Sequence, residues 1–341
     1  MVETLHAENQ RSLSKFQGGQ ILGTGIQFGG RAVSAAEIDT RTGKRSGWTA
    51  KHTGVLNRHF VKDGESASTL GATAVGKALA VAGLGLGDVD ALICASGGMQ
   101  QPIPSTSSLI LKELGPEAIG MTTFDLNSTC LSFVTAFDMA SCLLKAGRFN
   151  CVIIVSTEVA SCALNWNEAE SAGLMADGAA AVILGGESSV HASLLKTYPA
   201  GSALAEIRGG GTALPATHFH LDRLQDYLFS MEGRGVFRMA MKYLPPFYEE
   251  LFASGDFDWD DVDLVIPHQA STSALRIMRR RLGIAKEKYF VNVQQVGNTV
   301  AAAIPIALHQ AIESGQLERG MKVLLTGTSA GFSIGAIYFT Y

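Results

Sequence analysis

Charged side chains are scarce in this chain: Asp, Glu, Lys and Arg make up 17% of its 341 residues and nearly cancel, at a net charge of −4. A disordered chain carries far more charge and far less apolar residue. A nucleic-acid footprint needs clustered Lys and Arg, and no basic tract here compares with one. Cysteine is sparse too. Cys94, Cys130, Cys142, Cys151 and Cys162 form no C-x-x-C pair and are odd in number, which suits reduced thiols rather than a disulfide framework. No apolar run approaches the ~20 residues that span a bilayer. The opening MVETLHAENQ lacks the basic segment and apolar core of a secretory signal, and residues 1–19 read as a polar leader. The expectation is a soluble, cytoplasmic protein with no nucleic acid or membrane as partner.

What the chain has in quantity is apolar residue, 47% of the total, in a length that exceeds a single core. It also holds a diverged copy of itself. Asp88-Val89-Asp90 leads into the apolar run ALICAS, and Asp261-Val262-Asp263 leads into LVIPHQAS. Leu114-Gly115 and Leu282-Gly283, Cys130 and Asn298, and Gly147 and Gly315 pair at one constant offset. Each copy then closes on an apolar strand, CVIIVS or KVLLTG. Strand-like and helix-like stretches alternate, which predicts α/β layers. The halves are expected at 20–187 and 188–341, with 200–235 the least regular stretch.

Two helical stretches, Leu131–Lys145 and Thr299–Glu313, are apolar nearly all round. Such helices are buried on every side. One per half, they predict a central helical layer between two sheets, with helices over 69–82 and 274–282 outside. The fold expected is a five-layer helix–sheet–helix–sheet–helix body.

The repeat puts chemically different residues at matching points. Free cysteine is usually an inert buried hydrophobe, and Cys94, Cys142, Cys151 and Cys162 take that reading. Cys130 differs, since it follows the strand-like TTFDLNS where a buried helix begins. A helix N-terminus lowers a thiol's pKa and favours the nucleophilic thiolate. His268 stands at a strand's C-terminal end, where α/β layers keep their ligands; a structural histidine is the alternative. Asn298 opens the second buried helix, as an N-cap or as an amide set opposite the cysteine. GTGIQFGG (23–30) lacks the dinucleotide spacing, and His218 with His220 has no further ligand for zinc. Gly331, in GTSAGFSIG after the last strand of the repeat, can set a backbone N–H beside that of Cys130 as an oxyanion hole.

Taken together, FDLNSTCLSF (124–133), DGAAAV (177–182), VIPHQAS (265–271), GNTVAAAIPIAL (297–308), WTAKHTGVLNRH (48–59) and the MEGRGVFRMA segment resemble the β-ketoacyl-ACP synthase III family of the thiolase superfamily. The resemblance runs from about residue 20 to 341 and implies the thiolase-like αβαβα fold. It implies that Cys130 takes an acyl group from a thioester while His268 and Asn298 steady the enolate of a decarboxylating malonyl unit. It further implies a substrate path along Trp48, Ile103, Phe133 and Phe237, a homodimer, acyl-ACP or CoA thioesters as partners, and neither metal nor cofactor. Ile103 stands where the family often has a phenylalanine closing the acyl pocket, which predicts primers longer than acetyl.

The chain departs from the family's pattern in three places. Ser271 ends a motif that usually ends in Asn, His52 replaces an arginine, and 165–173 lacks the arginine that grips CoA. These point toward a specialised synthase. On the stretch after His268, Leu275, Met278 and Leu282 share one face, leaving Arg276, Arg279 and Arg280 on another as a docking surface for an acidic carrier protein. Non-decarboxylative condensation, or acyl transfer to oxygen or nitrogen, would use the same Cys130. A non-catalytic partner subunit is a third reading, against which the intact Cys130, His268 and Asn298 count.

Overall fold

The computed structural model describes residues 21–341, so the polar stretch 1–19 lies outside the described residues. In the first half, β1 (Ile21–Phe28), β2 (Arg31–Ser34), β3 (Asn57–Phe60), β4 (Ala91–Ala95), β5 (Thr122–Leu126), β6 (Cys151–Val159) and β7 (Asp177–Gly185) follow in chain order. Five of them form one sheet in the order β1-β7-β6-β4-β5, and β2 pairs with β3 in a separate hairpin. The second half contributes β8 (Val190–Thr197), β9 (Ala205–Glu206), β10 (Ser230–Met231), β11 (Leu264–Pro267), β12 (Lys322–Ser329) and β13 (Ser333–Thr340). Its main sheet runs β11-β12-β13-β8.

The duplication read from the sequence is a duplication of sheets. In each half a parallel pair, β4 with β6 or β11 with β12, is followed by an antiparallel return strand and then by the half's opening strand. The counterpart of β5 in the second half is reduced to one parallel bridge, Val265 to Tyr289.

Burial on both faces explains why the inner strands read as unbroken apolar runs. Ala91, Ile93 and Ala95 of β4 face the shared core, while Leu92 and Cys94 face outward into a second cluster. Between the sheets lie the helices Ser132–Lys145 and Ala303–Glu313. They bury Phe133, Phe137, Ala140 and Leu144 against Ile304, Ala307, Leu308 and Ala311. Ala303, Ala307 and Ala311 recur every four residues along one helix row, and so small a row lets this helix pack closely.

The outer layers differ from expectation in one respect. The Ala67–Ala82 helix covers the first sheet as predicted. Gly23 and Gly25 of β1 let it approach, because a Cβ on either would collide with the carbonyl of Ala78 or Ala74. The second sheet, however, is covered mainly by Gly233–Gly255, through Leu244, Phe247, Tyr248 and Leu251. The cover predicted over 274–282 falls on the helix Thr272–Arg281, which buries only Leu275. Residues 200–235 form short 3-10 turns and the β9–β10 pair, up to the helix start at Gly233. Among the described residues no helix is long and apolar enough to cross a membrane.

Candidate active site

The chain leaves β5 at Leu126 and enters the central helix at Ser132 through one tight turn. Asn127 Oδ1 accepts the Thr129 N–H at 2.8 Å, and the Ser132 hydroxyl donates to the Thr129 carbonyl at 2.7 Å. Thr129 is thereby held at φ 51°, a conformation that costs a β-branched residue about 1–3 kcal/mol. The turn presents Cys130, which keeps partial access to solvent. The helix starts later than predicted: Leu131 is its N-cap, so Cys130 stands outside the first turn. The expected lowering of its pKa is reversed. Burial first, and then the negative charge of Glu158, push the thiol up to about 12, although the backbone N–H groups of Ala330 and of Cys130 itself point at the sulfur and pull the other way.

His268 follows the last residue of β11. Its backbone N–H donates to the Thr326 carbonyl across the sheet at 2.8 Å. Its Cβ lies so near Gly327 that a Cβ added there would stand 2.6 Å away, with Leu131 Cδ2 at 3.5 Å from the same point. Glycine at 327 is therefore what lets the histidine sit beside the cysteine's turn. The residue is 6% exposed. Burial lowers its pKa to about 4, which makes it neutral at pH 7, and its Nδ1 has no partner among the described residues. The next residue, Gln269, ties this segment to another: its Nε2 donates to Pro267 and Phe290 carbonyls while its Oε1 accepts from Asn292 N–H.

Asn298 is gripped by the first half. Its N–H donates to the Leu174 carbonyl at 2.8 Å, and its own carbonyl accepts from Ala176 N–H at 2.9 Å. The predicted helix start at Thr299 is replaced by a 3-10 turn, Val300–Ala302, before the α-helix begins at Ala303. Asn298 caps that turn instead: its Oδ1 accepts the Val300 N–H at 2.9 Å. This commits the amide oxygen and leaves the NH2 end as the group to offer a ligand. Val300, at φ 50°, repeats the strain of Thr129.

Gly97, in the turn after β4, shows how closely these segments converge. A Cβ built there would meet Val300 Cγ1 at 3.0 Å, Glu158 Oε1 at 3.4 Å and the Thr129 backbone at 3.4 Å. From the far side the Ser329–Ser333 turn closes in, with Thr129 Oγ1 donating to the Ala330 carbonyl at 3.2 Å. That turn also holds a strained residue, Phe332 at φ 47°. Among the described residues, three of the four non-glycine residues with positive φ therefore lie beside Cys130, Asn298 or Gly331, and such strain concentrates where a site over-determines its backbone. The residue sequence reasoning missed is Glu158, which stands next to the end of the buried strand β6 and is 3% exposed. An acid following the apolar run CVIIV so closely was the available signal.

Comparison with known proteins agrees. The family profile for 3-oxoacyl-[acyl-carrier-protein] synthase III matches residues 124–199, and that for its C-terminal part matches 252–341. The β-ketoacyl-[acyl-carrier-protein] synthase III of Oleidesulfovibrio alaskensis is 35% identical over 323 residues, spanning 93% of this chain and 97% of that protein. The chain belongs to the β-ketoacyl-ACP synthase III family. The synthase III of Aquifex aeolicus is 31% identical over 324 residues, 95% of this chain and 100% of the relative. The crystal structure of the 3-oxoacyl-[acyl-carrier-protein] synthase III from Aquifex aeolicus VF5 superposes with a TM-score of 0.84 at 29% identity, over 95% of this chain and 100% of that one. Membership makes this chain a condensing acyltransferase on the thiolase-type fold, as its motifs implied.

The synthase III residues expected around the site fall in several places. Trp48 borders a cleft of about 340 Å³ with Lys44, Glu168, Glu170 and Met231. One face of its indole is taken by His52, stacked at 4.3 Å. Phe133 is fully buried and edge-on to Phe137, so its ring belongs to the shared core. Phe237 is half-buried on the Gly233–Gly255 helix. Ile103 is 85% exposed within one chain. Gly331 lies in the β12–β13 turn at φ 82°, yet the backbone group at the sulfur is that of its neighbour Ala330. Ser271, where the family usually has Asn, caps the Thr272–Arg281 helix by accepting the Ala274 N–H. Of the three arginines expected to dock a carrier, Arg276 and Arg280 are exposed, as is Arg281 at the helix end. Arg279 turns back to donate to the Ile284 carbonyl at 2.7 Å, so the predicted cluster of three free arginines is two.

Proposed function

We propose that this chain makes β-ketoacyl thioesters in two steps at Cys130. In the first, the sulfur attacks the carbonyl carbon of an acyl thioester, the donor's thiol leaves, and Cys130 carries the acyl group. In the second, a malonyl thioester loses CO2. The NH2 end of Asn298 and the neutral imidazole of His268 hold the enolate oxygen, and the enolate carbon attacks the acyl carbon. The Cys130 sulfur leaves and regains a proton. Neither step needs a metal or redox group. The observation that carries this reading is the convergence of the Cys130 turn, the Asn298 turn and the Ala330 backbone around Gly97, with His268 held uncharged. A neutral imidazole can donate a hydrogen bond to an oxyanion, and with its pKa lowered by burial it is a weak base toward water.

Acyl-carrier protein and CoA thioesters are the substrates this reading gives the chain, with Arg276 and Arg280 facing an acidic carrier and Ile103 buried against a second copy. The test is intact-protein mass after exposure to a panel of acyl-ACP and acyl-CoA donors, followed by malonyl-ACP and measurement of CO2. Wild type should gain one acyl group on Cys130, Cys130→Ala none, and Asn298→Ala should gain it yet release little product. Acylation without CO2 release would favour non-decarboxylative condensation or transfer to another acceptor. No acylation by any donor would leave only the partner-subunit reading.

A further inference from the structure

The mechanism above gives Glu158 no task, yet it is buried between the turns that carry Cys130 and Asn298. Its carboxylate is buried and accepts three backbone N–H groups from two different turns. Gly97 donates to Oε1 at 2.5 Å, Gly98 to Oε2 at 3.1 Å and Ala301 to Oε1 at 3.4 Å. The first two belong to the turn that touches Thr129; the third lies in the Val300–Ala302 turn that Asn298 caps. The groups facing the carboxylate are Asp177 from β7, Cys94 from β4, Cys162 from the turn after β6, and Cys130. No cation is among them.

We propose that Glu158 is a positioning residue for condensation: it ties the Gly97–Gly98 turn to the Asn298 turn, so fixing Asn298 relative to Cys130, and it holds negative charge beside the sulfur. The proposal rests on Cys130 as nucleophile and Asn298 as enolate donor. Its two effects have opposite signs, which makes them separable. Aligning the amide favours condensation, because a donor set for an oxyanion tolerates little displacement. The negative charge disfavours the thiolate, so the resting cysteine stays protonated and slow toward stray electrophiles until substrate arrives. Burial and the charge of Asp177 raise the Glu158 carboxyl to about 7, so near neutrality a share of molecules carries it protonated, and the three N–H donors keep that share from being larger.

Replacing Glu158 by Gln keeps its size, removes the charge, and sets an NH2 group against one of the three N–H donors. Iodoacetamide labelling of the Cys130 peptide at pH 8, followed by mass spectrometry, should then rise roughly threefold or more, since alkylation tracks the thiolate fraction. Acyl transfer onto Cys130 should persist, while kcat for CO2 release with malonyl-ACP falls about tenfold or more. A purely structural role would instead lower labelling, acylation and condensation together, and that outcome overturns the proposal, as does a variant unchanged in all three. Glu158→Asp keeps the charge and withdraws the clamp. It should label at the wild-type rate and still condense slowly, so if the Gln variant does not fold, an Asp variant condensing at the wild-type rate overturns the idea. The underlying reading fails separately: wild-type protein that never acylates on Cys130 sinks that assignment whatever Glu158 does.

Discussion

Gly327→Ala offers the sharpest test of how His268 is held. The new Cβ would stand 2.6 Å from the His268 Cβ, whereas carbon atoms settle about 3.5–4.0 Å apart. One of the two must therefore move by about 1 Å. The histidine cannot simply rotate away, because the clash is with its Cβ, and its backbone is pinned to Thr326 at 2.8 Å. Gly327 does not have positive φ, so alanine meets no backbone barrier there and the effect is purely steric. Overpacking of this kind costs roughly 1–3 kcal/mol, which a folded protein of this size can absorb. A ~1 Å displacement of a catalytic group costs roughly 10²-fold in rate. The expected result is a folded variant that acylates Cys130 but releases CO2 from malonyl-ACP about 10²-fold more slowly. Gly76→Ala serves as control, since its Cβ would meet nothing within 4 Å; that exposed helix position should gain up to ~1 kcal/mol of stability without a change in rate. A folded Gly327→Ala variant condensing at the wild-type rate would show that His268 is not positioned by this contact.

Ile103→Phe should shift preference from medium-chain toward short primers by roughly 1–3 kcal/mol in relative kcat/KM; a wild-type preference for acetyl thioesters counts against the reading. Arg276→Glu with Arg280→Glu should raise KM for acyl-ACP several-fold, less so at high salt, with turnover of the matching CoA or pantetheine thioester nearly unchanged; equal loss on both would remove the docking role. The pH dependence of stability carries two opposed signatures. His268, free at 6.5 but lowered to about 4 by burial, binds its proton in the unfolded chain first, so it contributes stability above 6.5 that is lost as pH falls toward 4. Glu158, raised from 4.5 to about 7, keeps its proton longer in the folded chain, so its contribution is lost as pH rises between those values. The two offset each other from 4.5 to 6.5. Urea unfolding of Glu158→Gln should therefore weaken more steeply than wild type on acidification through that window, by up to about 1.4 kcal/mol per pH unit; parallel profiles would refute the pairing.

What the sequence determined by itself is whatever repeats or patterns locally. The Asp-Val-Asp runs before ALICAS and LVIPHQAS, and the two helices with almost no charge, required a duplicated body with helices sealed between sheets, because an element apolar all round has no stable place but the inside. Cys130, His268 and Asn298 could be singled out because each stands beside a predicted strand or helix end. Tertiary structure decided what depends on distant neighbours. Glu158 reads locally as the tail of a strand; it is tied to the Cys130 and Asn298 turns only because Gly97 and Ala301, 61 and 143 residues away in the chain, aim their N–H groups at it. Cys130 was expected to ionise readily from its place near a helix start, a local property. Burial and the Glu158 charge instead raise its pKa, and these are properties of the assembled core. Val300 breaks the predicted helix for the same reason: the Leu174–Ala176 segment of the other half grips Asn298 on both sides, and the chain can begin its helix only after that grip ends at Ala303. Periodicity and end signals are short-range and survive in one dimension, whereas desolvation, like-charge proximity and cross-half hydrogen bonds exist only once the two halves have closed on each other.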